Sequence, residues 1–235
     1  MSFSSGRLRA LKAASKEILT YLEGCRVVGL GSGGTISYIL EQVNSWIKAR
    51  SLGLTFIPSS LQIMLKAQSL GLNLVSINHV DSIDLTIDGA DEADLHARAI
   101  KGGGGALIRE RILAHMSKKY ILVIDESKLS EKIGLKAMVP LEVIPDALQL
   151  ISSQLRRGGF NFKLRLDEKG YPRLSEAGNL VVDVKLPLEL KPENFLEYAR
   201  IIPGVIDVGI FLSNEITEIV VGKSSGEIRK IEGGK

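Results

Sequence analysis

The chain has 235 residues, of which 45% are hydrophobic and 24% are charged, and its formal net charge at pH 7 is +3. This composition is typical of a soluble globular protein with one large or two modest domains, and it argues against a disordered or fibrous chain. The small net charge and the lack of a long basic run argue against a dedicated nucleic-acid binder. No stretch approaches the roughly 20 apolar residues of a membrane span, and the single cysteine is typical of a reducing cytoplasm.

Hydrophobic spacing predicts that helices and strands alternate through the first half of the chain. Helices are predicted over residues 7–23, 36–50, about 60–70 and 106–116, and strands over residues 26–30, 54–57, 72–77, 83–87 and 120–124. Strands separated by helices predict a parallel sheet with right-handed crossovers. In such sheets ligands bind where the strands end, and polar residues follow several of these strands.

The first predicted strand is followed by a glycine-rich turn that leads into the second helix. This turn consists of Gly31, Ser32, Gly33, Gly34 and Thr35. A strand, a glycine loop and a helix N-terminus together favour anion binding, because the first backbone amides of the helix have no partner within it.

A dinucleotide site is an alternative for the same turn, because Gly29, Gly31 and Gly34 satisfy the G-x-G-x-x-G pattern. That pattern also requires an acidic residue at the end of the second strand, and this chain has Pro58, Ser59 and Ser60 there. A phosphate or sugar-hydroxyl site is therefore favoured over a dinucleotide site. The two serines either cap the third helix or bind a ligand.

The strongest functional signal is the segment DGADEADLHARAIKGGGGALIRER, which begins at Asp88 and ends at Arg111. Asp88 directly follows an apolar strand, and the four glycines of residues 102–105 directly precede a helix. Both are positions where binding residues collect. The ordinary alternative is a solvated acidic turn followed by a flexible hinge.

DGADE followed by IKGGGGAL and RE resembles ribose-5-phosphate isomerase of the A type. The resemblance covers nearly the whole chain and is greatest over residues 83–143. It assigns the catalytic carboxylate to Glu110, the catalytic lysine to Lys101, and the paired aspartates to Asp88 and Asp91.

The resemblance also implies the substrate-binding residues. These are Gly31, Ser32, Gly33, Gly34, Thr35, Ser59, Ser60, Gly102, Gly103 and Lys128. It implies a pentose 5-phosphate as the substrate, no cofactor, no nucleic-acid or membrane partner, a cytoplasmic location, and a homodimer or homotetramer.

The chain departs from the family pattern at three positions. Ser32 stands where threonine is common, Gly34 where serine is common, and Arg111 where lysine is more frequent. Ser32 keeps a hydroxyl and Gly34 removes one, so we expect the first turn to bind through Ser32, Thr35 and backbone amides. The arginine is expected to be neutral.

Such an isomerase must remove a proton from a carbon next to a carbonyl and stabilise an enediolate. Glu110 shares a helix face with Leu113, so we expect its carboxylate to be partly desolvated and to act as the base. Lys101 can meet the developing oxyanion. Asp88 and Asp91 can hold sugar hydroxyls and assist ring opening.

The second half of the chain has a different pattern. Helices are predicted over residues 144–157 and 192–201, and strands over residues 160–166, 180–185, 205–212, 216–221 and 227–231. The sequence thus predicts a Rossmann-like parallel sheet domain (1–130 plus 206–235) with a second, smaller α+β ferredoxin-like domain (131–205). Residues 233–235 are expected to form a frayed tail.

Three functional alternatives remain open at this point. A divalent ion on Asp88, Asp91 and Asp94 is conceivable, although no histidine or cysteine has ligand spacing near them, and we expect no metal. Another sugar-phosphate isomerase or a lactonase would keep the phosphate loops without the full motif series. A sugar-phosphate sensor of a transcription regulator would need a DNA-binding module, for which too few residues precede the first strand.

Overall fold

The computed structural model describes residues 4–235, which form six α-helices and three β-sheets. The helices are α1 (Ser5–Tyr21), α2 (Gly33–Arg50), α3 (Leu61–Ser69), α4 (Leu107–Met116), α5 (Leu148–Arg157) and α6 (Pro192–Arg200). The strands are β1 (Val27–Leu30), β2 (Thr55–Pro58), β3 (Asn73–Leu74), β4 (Ile83–Asp88), β5 (Glu92–Asp94), β6 (Ala99–Ile100), β7 (Ser117–Asp125), β8 (Leu129–Ser130), β9 (Val139–Val143), β10 (Asn161–Leu164), β11 (Leu180–Lys185), β12 (Val205–Val208), β13 (Ile210–Phe211), β14 (Glu218–Gly222) and β15 (Ile228–Glu232).

The largest sheet has seven strands in the order β15-β14-β7-β4-β1-β2-β3. All neighbouring pairs are parallel except β14 with β15. The central strands are apolar and buried because helices cover both faces of the sheet. The predicted parallel sheet is confirmed.

Strand β7 shows how the two faces are filled. Ile121 and Val123 join the buried cluster formed with the first three helices. Tyr120, Leu122 and Ile124 alternate with them and join a second cluster that includes Ala114 of α4. Helix α4 therefore lies on the opposite face from α1, α2 and α3.

A separate antiparallel sheet has the strand order β10-β11-β9-β12. Its elements follow the chain as β9-α5-β10-β11-α6-β12, which is the split βαβ arrangement of ferredoxin-like folds. The two helices pack on one apolar face through Ile151, Leu155 and Phe195, among others. The predicted fold class is confirmed. The division into 1–130 plus 206–235 and 131–205 stays a prediction, and β12 runs across its second boundary.

A small third sheet has the order β13-β6-β5-β8, and its two central strands lie between Asp88 and the four glycines, where no strand was predicted. The turn between β5 and β6 is closed by Asp94, whose carboxylate accepts from the amides of His96 and Arg98 and from the Arg98 guanidinium. Short strands of two or three residues have too little periodicity to be recognised in sequence. The acidic turn is thus an ordered hairpin.

Among the predicted strands that are shorter in the structure, two have a clear physical reason. The predicted strand 72–77 is β-structure only at Asn73–Leu74, because the Ser76 hydroxyl accepts from the amide of Asn78 and begins a short helical turn. The predicted strand 205–212 is divided at Gly209 into β12 and β13, which belong to different sheets. A Cβ at Gly209 would lie 2.3 Å from the carbonyl oxygen of Lys101.

The C-terminal residues are not frayed, contrary to the prediction. The amides of Gly233, Gly234 and Lys235 donate to the carbonyls of Thr217, Ser213 and Ile216. These hydrogen bonds satisfy polar backbone groups of the three residues that follow the edge strand β15. Among residues 4–235, no helix combines the length and hydropathy needed to cross a membrane.

Candidate active site

The site begins where β1 and β4 end side by side. Leu30 is in register with Ile87, so the turn after β1 lies against Asp88. Gly31 has no side chain at the closest point, where a Cβ would be 1.7 Å from Asp88 Oδ1. The close approach therefore requires glycine. It brings the amide of Ser32 to 3.3 Å from the same carboxylate oxygen.

Asp88 is completely buried and accepts from four donors. Oδ1 accepts from the amides of Gly89 and Ser32, and Oδ2 from the Tyr120 hydroxyl at 2.8 Å. The fourth donor is the Lys101 ammonium, 2.8 Å from Oδ2. Burial and the nearby negative charge of Glu110 raise the pKa of Asp88 to about 7, although Lys101 and Tyr120 act in the opposite direction.

The Lys101 ammonium lies at the centre of the buried charges. Besides Asp88, it lies 3.2 Å from Glu110 Oε2 and donates to the Gly89 carbonyl at 2.6 Å. Burial acts to lower the pKa of Lys101, but the carboxylates of Asp88 and Glu110 outweigh burial and raise the pKa. The lysine is therefore a permanent cation at this position.

Glu110 lies in the first turn of α4 and is 2% exposed. Its Oε1 accepts from the Ser32 hydroxyl at 2.6 Å, and Oε2 faces Lys101. Oε2 has no hydrogen-bond partner of good geometry within residues 4–235. One carboxylate oxygen is thus fixed by the first glycine turn, and the other is available to a ligand.

Asp91 is half-buried beside the second glycine loop. Its Oδ2 accepts from the amide of Gly103 at 2.7 Å, and a Cβ at Gly103 would be 2.4 Å from Oδ1. Burial raises the pKa of Asp91, opposed by the Gly103 hydrogen bond and by Lys101. Asp91 is the aspartate of the pair that is open to the cavity.

These groups surround a cavity of about 130 Å³. Eleven residues predicted from the sequence line it: Ser32, Gly33, Gly34, Thr35, Asp88, Asp91, Lys101, Gly102, Gly103, Glu110 and Lys128. Asp88 lies in its floor with no exposed surface. The two glycine loops and the end of β7 therefore meet at one site, as the parallel topology requires.

Three predicted residues do not line this cavity. Gly31 lies behind Asp88, as described above. Ser60 caps α3 by accepting from the amide of Ile63, and the buried Ser59 lines a different cavity of about 590 Å³ together with Arg109. Both serines follow β2, which β1 separates from β4, so neither lines this cavity. Their role in substrate binding stays a prediction.

Arg7 of α1 also lines the cavity and was missed in the sequence. Its Nε lies 3.0 Å from Asp125 Oδ2 at the end of β7, and Lys128 follows in the next turn. Nothing in the local sequence distinguishes Arg7 from the other basic residues of an amphipathic helix. The two cations lie near the N-terminus of α2, where Ser32 provides no side-chain cap. This combination suits an anion such as a phosphate.

Arg111 anchors α4 and does not line the cavity. It forms ion pairs with Asp207 and Glu215 and donates to the carbonyls of Val208 and Ile210. Its guanidinium lies 4.0 Å from the centre of the Phe211 ring. Five interactions of one buried side chain hold the helix that carries Glu110.

Among residues 4–235, no group of three or more histidine, cysteine, aspartate or glutamate side chains has the arrangement of a metal site. Asp94, the third member of the conceivable acidic site, is paired with Arg98 at 2.7 Å. The residues that line the cavity supply carboxylates, ammonium groups, a guanidinium, hydroxyls and backbone amides.

The chain is similar to proteins named ribose-5-phosphate isomerase A along most of its length. The family model described as "Ribose 5-phosphate isomerase A (phosphoriboisomerase A)" matches residues 55–226. Ribose-5-phosphate isomerase A of Listeria innocua is 38% identical over 221 residues, which cover 94% of this chain and 97% of the relative.

Solved structures show the same similarity. Ribose 5-phosphate isomerase from Plasmodium falciparum is 31% identical with a TM-score of 0.88, covering 97% of this chain and 100% of that one. A D-ribose-5-phosphate isomerase in complex with phospho-erythronic acid is 34% identical with a TM-score of 0.89, covering 95% and 97%. Since sequence and structure agree almost from end to end, the chain belongs to the ribose 5-phosphate isomerase A family.

Proposed function

We propose that the protein is an aldose–ketose isomerase that interconverts D-ribose 5-phosphate and D-ribulose 5-phosphate in the non-oxidative pentose phosphate pathway. The observation that carries the proposal is the Glu110 carboxylate 3.2 Å from the Lys101 ammonium at the floor of the cavity. A base and a cation so close together can remove a proton and stabilise the resulting oxyanion. Family membership supports this substrate.

In this reaction the same carboxylate first removes a proton and then returns it. Glu110 removes the proton from C2 of the open-chain aldose, and the electron pair forms the C1–C2 double bond of an enediolate. Lys101 stabilises the oxygen that gains negative charge. The proton of the C2 hydroxyl passes to the C1 oxygen, and Glu110 returns its own proton to C1, which leaves a hydroxyl at C1 and a ketone at C2. The Ser32 hydroxyl orients Glu110 by donating to the oxygen that does not face Lys101.

The phosphate is bound, in this proposal, by Arg7, Lys128, Thr35 and the first amides of α2. Asp91 holds sugar hydroxyls and assists ring opening, because it is the half-buried aspartate open to the cavity. Asp88 exposes no surface, so its contribution is to hold Lys101 in place. The phospho-erythronic acid bound to the solved relative is a phosphorylated sugar acid, which agrees with a site for two anionic groups.

No cofactor is required by this mechanism, because Lys101 supplies the positive charge that a metal ion would otherwise provide. The expected result is that exhaustive chelation leaves turnover unchanged. Loss of activity in chelator and its recovery with a divalent ion would contradict the assignment of Lys101.

The direct test is to incubate the purified protein with ribose 5-phosphate in chelator and deuterated water. We expect ketose to form. We also expect deuterium from the solvent to replace the hydrogen that is transferred from C2 to C1. Unphosphorylated ribose should be a very poor substrate, because it cannot use the anion site. Equal efficiency with ribose and its 5-phosphate would contradict the proposed phosphate site.

We also propose that the enzyme acts in the cytoplasm as a homodimer or homotetramer, without a nucleic-acid or membrane partner. The support is family membership and the single cysteine, Cys25, which is unpaired. Sedimentation equilibrium of the purified protein would distinguish the two assemblies from a monomer.

A further inference from the structure

Tyr120 is a fully buried residue in the middle of β7 and does not line the cavity. It pairs in register with Thr86 of β4, so its side chain is on the same face of the sheet as that of Asp88, two residues further along. The hydroxyl donates to Asp88 Oδ2 at 2.8 Å. That oxygen also receives the Lys101 ammonium at 2.8 Å.

The Tyr120 ring is held by a second contact. It stacks on Phe211 with ring centroids 6.0 Å apart, and the Phe211 ring lies 5.7 Å from Lys101 Nζ and 4.0 Å from the Arg111 guanidinium. Burial, together with the charges of Asp88 and Glu110, raises the pKa of Tyr120 well above its usual value. The hydroxyl therefore keeps its proton and acts as a fixed donor.

We propose that Tyr120 is a positioning residue of the isomerase, whose hydroxyl fixes Asp88 so that Asp88 in turn holds the Lys101 ammonium beside Glu110. This inference rests on the proposed function. Tyr120 does not contact the substrate and acts only through Asp88. The sequence gives no sign of this role, because a tyrosine within an apolar strand is indistinguishable from core.

The groups that face Asp88 decide what happens when the hydroxyl is lost. They are Lys101 after β6, Glu110 on α4, Tyr120 on β7, and the amides of Ser32 and Gly89. Tyr120 and Lys101 favour the ionised carboxylate, and burial and Glu110 oppose it. Without the hydroxyl, Asp88 binds its proton at higher pH. A neutral Asp88 no longer pairs with Lys101, which would then shift towards Glu110 and weaken the base.

The test is Tyr120→Phe, which removes one oxygen and keeps the stacking on Phe211. We expect the acidic limb of the kcat/KM profile to move upward by about one pH unit, because a hydrogen bond to a charged group is worth about that much. At pH values below this limb, kcat/KM of the variant should be about tenfold lower than that of the wild type, with KM little changed. The profiles of the variant and the wild type should converge at high pH.

The matched control is Tyr198→Phe. Its hydroxyl donates to the carbonyl of Gln154 at 2.7 Å in the layer of α5 and α6. This variant should keep the wild-type pH profile. If Tyr120→Phe loses activity equally at every pH, or loses thermal stability with an unmoved limb, the hydroxyl is only structural and the inference is overturned.

A second measurement does not depend on activity. The infrared band of the protonated Asp88 carboxyl, identified by its loss in Asp88→Asn, should titrate at higher pH in Tyr120→Phe. Replacement of Tyr120 alone by 3-fluorotyrosine, a stronger donor, should move the titration to lower pH and serves if Tyr120→Phe does not fold. An unmoved band overturns the inference. If the wild-type protein shows no isomerase activity, the isomerase proposal is refuted. This titration still tests whether the Tyr120 hydroxyl sets the protonation of Asp88.

Discussion

The carboxylate of Glu110 is the residue on which the chemistry depends most directly. Glu110→Gln keeps the size of the side chain and can still accept from Ser32, but it cannot take up the C2 proton. A positioned general base contributes on the order of 10² to 10⁴-fold, so kcat should fall at least that far with KM little changed. Steady-state kinetics and exchange of the C2 hydrogen with solvent deuterium measure the effect.

Glu197→Gln is the control for that substitution, because Glu197 is an exposed glutamate on α6. It should leave both kinetic constants unchanged. Exchange at the wild-type rate in Glu110→Gln would move the role of base to Asp91, the other carboxylate open to the cavity.

Asp88 and Asp84 lie on the same strand, but their contributions to the free energy of unfolding should change with pH in opposite directions. The pKa of Asp88 is raised from 3.8 to about 7, so its contribution to the free energy of unfolding is complete below 3.8 and lost as the pH rises through about 7. The pKa of Asp84 is lowered to about 2 by Lys118 and the Arg26 amide, so its contribution is present above 3.8 and lost as the pH falls towards 2.

Calorimetric melting of Asp88→Asn and Asp84→Asn across this pH range tests both signs. Relative to Asp88→Asn, the wild type should lose stability between pH 4 and 7. Relative to Asp84→Asn, it should lose stability only below pH 4. Parallel curves for wild type and both variants would show that neither carboxyl changes its pKa on folding.

Local motifs predicted the residues of the site that lie close together in sequence. Asp88, Asp91, Lys101 and Glu110 belong to one segment, and the structure gathers them around one cavity. Their roles stay predictions. Arg7 could not be predicted, because its place beside Asp125 depends on how α1 packs across the sheet. The serines after β2 line other cavities, because β1 lies between β2 and β4.

Helix α4 is the element that carries Glu110, and Arg111 is its anchor. Arg111→Ala should lower the free energy of unfolding by about 3 to 5 kcal/mol, because it removes the cation that pairs with the buried Asp207 and the half-buried Glu215. Denaturant unfolding measures this loss. Arg111→Lys should recover only part of it, since lysine cannot reproduce the planar set of donors.

Arg109→Ala is the control on the same helix. Arg109 is 47% exposed and lies 3.8 Å from Glu176, so its removal should cost at most about 1 kcal/mol. Similar losses for the two alanine variants would contradict an anchoring role for Arg111. Such a result would instead agree with the expectation that arginine in place of lysine at position 111 has no effect.

Long periodic elements were predicted well, and short ones were not. Helices α1 and α2 and the strands β4 and β7 have enough apolar positions for their period to be read. Strands β5, β6 and β13 have two or three residues each, and only the pairing of distant segments reveals them. The division at Gly209 likewise depends on the Lys101 carbonyl that approaches it.

At the scale of the whole molecule, Arg165 links the antiparallel sheet to the second glycine loop. It forms an ion pair with Asp183 and donates to the carbonyls of Gly102 and Gly103 at 2.8 and 3.1 Å. The amide of Gly103 in turn holds Asp91. The antiparallel sheet therefore helps to shape the cavity without lining it.

Arg165→Met should lower kcat/KM by roughly 10- to 100-fold, because it removes charged hydrogen bonds that order this loop. Kinetics measured well below the melting temperature separate this effect from unfolding. Lys163→Met, at an exposed position of β10 two residues before Arg165, should leave kcat/KM unchanged. An unchanged kcat/KM in Arg165→Met would mean that the loop is ordered without the antiparallel sheet.

The junction at Gly209 has a consequence for how this chain could be rearranged. The amide of Gly209 donates to the carbonyl of Pro140 at 2.7 Å, so the segment that builds the antiparallel sheet leaves and re-enters the rest of the protein at nearly the same point. Topologically it is an insert with adjoining ends. Such a segment tolerates circular permutation and module exchange, because reconnecting neighbouring ends requires only a short linker. The turn at residues 167–170 is exposed and lies between β10 and β11, so new termini there would interrupt no strand of this sheet.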